Sequence, residues 1–120
     1  MSINIQSIEN VAMKKNILTL VLVVAAATSV SAAEVKENWE KQCQKCHGAD
    51  GKGNTKMGRQ SGVKDYTDSK VQEELKDDKA IKAIKEGIVE KGKKKMDPYA
   101  DKLTNDEIKA LVAYLRAFKK

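Results

Sequence analysis

Histidine, cysteine, proline and aromatic residues are all scarce in this chain of 120 residues, and each scarcity removes a class of protein. With 2 cysteines there is no multi-bridge disulfide scaffold of the kind that staples small secreted domains. A single proline, Pro98, and an aromatic content of 4% argue against a Pro-rich linker and against a turn-rich β-sandwich. A lone histidine, His47, rules out any site that takes two imidazoles from one chain. Internal repeats and low-complexity tracts are also missing. Positive charge is in excess: 23 Lys+Arg stand against 17 Asp+Glu. The net +6 suits an acidic protein surface, an anionic membrane or nucleic acid without choosing among them.

The amino terminus carries an apolar run from Ile17 to Ala27, preceded by Met13-Lys14-Lys15 and followed by the small residues Ser29, Ser31, Ala32 and Ala33. A basic start, a short apolar core and a small-residue exit predict a secretory signal peptide over 13–33, cut after Ala32 or Ala33. The run is shorter than the roughly 20 residues of a spanning helix, which disfavours retention as an anchor. Residues 1–12 have no basic region of their own and read as an upstream extension before a start at Met13. The expected location is therefore periplasmic or otherwise extracytoplasmic, and the domain is residues 34–120. Export removes Glu9, Lys14 and Lys15, which leaves 21 basic and 16 acidic residues, a net +5. A mature chain of about 87 residues is marginal without a staple, so folding is expected to depend on an added apolar centre.

Helical periodicity dominates that domain. A first helix is predicted from Glu34 to Cys46, with Val35, Trp39 and Cys43 on one face and Trp39 as a core anchor. Glycine-rich sequence from His47 to Asn54 reads as a loop that continues to about Asp68; it lacks the spacing of a phosphate-binding loop. Asp68 or Ser69 is positioned to cap a short helix holding Val71 and Leu75, and Asp77 or Asp78 the next, whose stripe is Ala80, Ile81, Ala83, Ile84 and Ile88 with Gly87 as C-cap. Thr104 and Glu107 form a capping box before the final helix, in which Ile108, Leu111, Val112 and Leu115 repeat at helical spacing. The expectation is four or five helices and no strand.

Both cysteines fall in one motif, Cys43-Gln44-Lys45-Cys46-His47. Two thiols three residues apart with an adjacent imidazole have the spacing that bonds a haem covalently and ligates its iron. A thiol oxidoreductase would require a βαβ setting, and a zinc site would lack its fourth ligand. With His47 taken, the sixth iron position is open to Met57, Met96, a lysine or no protein ligand at all. Met96 is favoured, because it comes from the far end of the chain and is pinned by Pro98, whereas Met57 follows the glycine loop directly after His47.

Trp39-x-x-x-Cys43-x-x-Cys46-His47-Gly48, Asp50-Gly51-x-Gly53, Met96 and Leu111-Val112-Ala113-Tyr114-Leu115 together resemble the small bacterial class I (monohaem) cytochromes c, from Val35 to Phe118. The resemblance implies an all-α fold wrapped around one covalent haem c. In it the first and last helices cross, with Trp39 against Leu111 and Tyr114. It also implies thioether attachment at Cys43 and Cys46, His47 as proximal ligand and Met96 as distal ligand. Val35 stands where the family commonly has glycine, which would set the crossing helices slightly apart. Asp97 separates Met96 from Pro98, and no proline marks the carbonyl that accepts the His47 Nδ1 proton; a carbonyl within 53–62 is expected to do so.

The function expected is electron transfer without bond chemistry on a substrate, so the chain is not read as an enzyme; the alternative is a haem sensor or small haem-enzyme subunit with a displaceable sixth ligand. Lys91, Lys93, Lys94 and Lys95 lead into Met96 and are expected to steer the chain, as a monomer, onto acidic redox partner proteins. Nucleic acid is not expected as a partner, given the export signal and the lack of an arginine or aromatic platform. Membrane association is expected only through partners or an uncleaved signal.

Overall fold

A computed structural model describes residues 29–120. The upstream extension at 1–12 and most of the expected leader lie outside the described residues. The first helix, α1 (32–47), has three segments: an α-helical Ala32–Asn38, a π turn over Trp39–Cys43 and a last α turn, Gln44–His47. Ser31 caps it in a reciprocal box with Glu34, two residues earlier than the sequence suggests.

Four further helices follow: α2 (Lys56–Ser61), α3 (Ser69–Glu74), α4 (Asp77–Glu86) and α5 (Asn105–Arg116). Helix α2 falls inside the stretch expected to be loop. It is bounded by Thr55, whose hydroxyl accepts the Gly58 N–H, and by Gly62 in the left-handed region. Asp68 caps α3 as expected, but the N-cap of α4 is Lys76, with Asp77 and Asp78 in the first turn, where negative charge meets the positive end of the helix dipole.

The expectation of no strand is corrected by a short antiparallel hairpin, β1 (Ile88–Glu90) paired with β2 (Lys93–Met96), in which Ile88 faces Met96. Lys91 and Gly92, both at positive φ (50° and 73°), make the two-residue turn that matches strand twist.

Helix α5 forms as its capping box dictates, and Ile108, Leu111, Val112 and Leu115 are all buried. It crosses α1, where Val35 and Trp39 join the same cluster. Trp39 packs 5.4 Å from Tyr114 and 5.1 Å from Phe118 between ring centroids. Val35 is itself buried in the cluster, so the position that glycine often holds contributes side-chain packing here.

The far side of α5 is held by a polar staple. Arg116 donates to Gln72 O (2.6 Å), Leu75 O (2.5 Å) and Asp77 Oδ1 (2.7 Å). The buried Gln72 in turn donates to Leu115 O and Tyr66 O. These bonds fix α3 and the start of α4 against the last helix, so that both line one side of a central cavity.

Candidate haem-binding site

The apolar residues that cover one another are few, and five of them, Trp39, Ala80, Ile84, Leu111 and Leu115, line a cavity of about 480 Å³. That is within the roughly 300–1,000 Å³ of pockets that enclose organic cofactors and ligands. Cys43, Cys46 and His47 line it together with Trp39, Tyr66, Val71, Leu75, Ile84, Ile88, Met96, Tyr99 and Leu111.

The α1 C-terminus is positioned by three bonds. Trp39 Nε1 donates to Gly48 O at 3.0 Å, Thr55 Oγ1 donates to Cys46 O at 2.8 Å, and Gly53 N–H donates to His47 O at 2.8 Å. Gly48, at φ 81°, lets the chain leave the helix sharply enough for these contacts. The His47 ring lies between two aromatic neighbours, with centroids 5.7 Å from Trp39 and 5.5 Å from Tyr66.

His47 Nδ1 is buried without a hydrogen-bond partner, so the expected carbonyl from 53–62 does not reach it. Burial also lowers the His47 pKa, which favours the neutral imidazole, the form that ligates metal. Burial first, and then the neighbouring Cys46, push the Cys43 thiol up to about 12. Disulfide-exchange enzymes use the opposite, a depressed attacking thiol, and Cys43 is not one. Among the described residues no group of three or more His, Cys, Asp or Glu is placed to hold a metal ion.

The two methionines occupy different settings. Met96 is half-buried at the end of β2 and packs on the core cluster, over the close approach of Gly87. An added Cβ at Gly87 would stand 2.5 Å from Met96 O. Met57 is more exposed, at 39%, and sits on α2 beside Gly58, the residue that packs against Cys46 O. Both line the cavity. The cavity mouth carries Lys64, Lys79, Lys94 and Lys95 against Glu74, Glu90 and Asp97. Lys94 is paired with Asp97 at 2.6 Å. The cluster at the rim thus includes Lys64 and Lys79, which sequence reading had no reason to bring there.

An apolar cavity rimmed by two thiols, with a neutral imidazole inside and a thioether on its wall, fits a porphyrin, and a largely helical chain built around it is a monohaem c-type cytochrome. Comparison with known proteins narrows this further. Residues 30–115 match the family described as cytochrome c oxidase, cbb3-type, subunit III, and the chain belongs to that family. Among solved structures, the KustC0563 c-type cytochrome is 37% identical with a TM-score of 0.62, over 71% of this chain and 96% of its own. A mutant of the same cytochrome, Kustc0563, is 35% identical at a TM-score of 0.62, over 71% of this chain and 98% of that one. No curated protein matches the sequence.

The chain therefore carries a covalently bound haem c and is a haem-based electron-transfer protein. Cytochrome c domains are typically extracytoplasmic and not enzymatic. Among the described residues no helix is long and apolar enough to cross a membrane.

Proposed function

We propose that this chain is a periplasmic carrier of single electrons, with thioether bonds from Cys43 and Cys46, His47 as proximal ligand and Met96 as distal ligand. The observation that carries the reading is that Met96, 49 residues along the chain from His47, lines the same cavity and is packed on the core cluster, whereas Met57, which also lines it, is 39% exposed. When bound, the haem supplies the one-electron ferric/ferrous couple. Cys43 and Cys46 would hold the porphyrin covalently, and Leu75, Ile84 and Leu111 would give it an apolar wall. A Met96 thioether favours the ferrous state and raises the potential, as a carrier feeding an acceptor requires.

The ligand set is tested by the ferric near-infrared methionine-to-iron band. It is expected to vanish in Met96→Ala and persist in Met57→Ala; the reverse result would replace Met96 with Met57.

The partners we propose are acidic redox proteins that approach the lysine-bearing mouth. Support comes from the net +5 of residues 34–120 and from Lys64, Lys79, Lys94 and Lys95 at the rim, where Glu74, Glu90 and Asp97 offset part of that charge and Asp97 pairs with Lys94. Contacts of this kind are small and short-lived, as turnover by a carrier demands.

A further inference from the structure

The Met96 segment is tied back to α1 by a bond that the haem motif does not call for. Tyr99 Oη donates to the backbone carbonyl of Gln42 at 3.0 Å. Gln42 lies in the π turn immediately before Cys43. Such turns widen a helix at one point and are frequent at functional sites. Here the turn coincides with the carbonyl that Tyr99 uses.

Tyr99 is anchored at its own backbone as well. Its N–H donates to Ile84 O at 2.9 Å, and its carbonyl accepts from Lys102 N–H at 3.0 Å and Leu103 N–H at 2.9 Å. The side chain lines the cavity, so the residue bridges from the end of α4 to the haem-motif helix along the cavity edge. Only Asp97 and Pro98 separate it from Met96, and they add little slack. The Pro98 ring holds φ, and an added Cβ on Gly87 would stand 2.9 Å from Pro98 N.

We infer that Tyr99 is a positioning residue for Met96: its hydroxyl latches the Met96 segment to the helix that carries Cys43, Cys46 and His47. The inference rests on the reading of Met96 as sixth ligand. The latch sets how readily the segment swings away, and so how readily an outside ligand takes the iron.

Imidazole titration of the ferric holoprotein tests it, with the methionine band recorded alongside, in wild type, Tyr99→Phe and Tyr114→Phe. Tyr114 serves as the control because its ring packs on Trp39 and Phe118, away from the latch. Tyr99→Phe is expected to keep the band and bind imidazole about twofold to tenfold more tightly, the range set by one net hydrogen bond. Tyr114→Phe is expected to match wild type. Loss of the band in Tyr99→Phe before any imidazole is added is a stronger form of the same result. Equal affinity in Tyr99→Phe and wild type, or an equal rise in Tyr114→Phe, overturns the latch while leaving Met96 as ligand. A wild type without the band removes the ligand reading, and the latch with it.

Discussion

Replacing Gly58 with alanine sets two effects of opposite sign against each other. In a helix the exchange is worth about 1 kcal/mol in favour of alanine. At this position, however, the new Cβ would overlap Cys46 O and stand 2.5 Å from Gly53 O and 2.8 Å from Thr55 Oγ1. Two of these are backbone oxygens of segments already pinned, since the Gly53 N–H is bonded to His47 O and Cys46 O accepts from Thr55. Relief requires α2 to back away from α1, at an overpacking cost of about 1–3 kcal/mol. Moving α2 also weakens the Thr55 bond to Cys46, worth about 0.5–1.5 kcal/mol. The net expectation is a loss of about 2 kcal/mol, or a Tm lower by roughly 8–16 °C for a domain of this size. Thermal melts of the holoprotein followed by circular dichroism measure it. Gly62→Ala is the comparison: Gly62 is left-handed at φ 70° with nothing within 4 Å, so only conformational strain of about 1–2 kcal/mol applies. A Gly58→Ala protein that melts at or above the wild-type temperature would refute the close-approach argument.

Two further outcomes are expected. Removing both attachment points in Cys43→Ala/Cys46→Ala leaves the cavity of about 480 Å³ without its filling, so far-ultraviolet circular dichroism of that protein should show most helix signal lost; native helix content would contradict dependence of folding on the haem. Oxidation of the reduced protein by ferricyanide, a polyanion, should slow as ionic strength rises and the Debye length falls from about 30 Å at 0.01 M to about 8 Å at 0.15 M. A salt-independent rate would remove the steering proposal.

The elements legible in the sequence are those fixed by neighbours within a turn or two. Thr104 and Glu107 cap each other across three residues, and the α5 stripe buries as its spacing requires. Helix α2 was illegible because its sequence, with Gly58 inside it and Met57 as its one large apolar residue, has weak helical character; the paired signals Thr55 and Gly62 were its only markers. The hairpin was illegible for a related reason. Its second strand is lysine-rich without alternation, and the β-branched Ile88-Val89 and the Lys91-Gly92 turn were the available signs. The bond from Tyr99 to Gln42 spans 57 residues, and no local pattern encodes it.

By itself the sequence determined the chemistry available: two thiols and an imidazole at fixed spacing, no second histidine, and two thioethers within the mature domain as candidates for the remaining position. These are counts and short spacings, which the covalent chain sets before it folds. Only the tertiary structure decided that His47 and Met96 share one cavity, that Met57 sits beside the Cys46 turn, and that Lys64 and Lys79 join the hairpin lysines at the mouth. Those relations depend on how α1, α4 and α5 pack, and packing is a property of side chains distant in sequence that meet only once the core has closed.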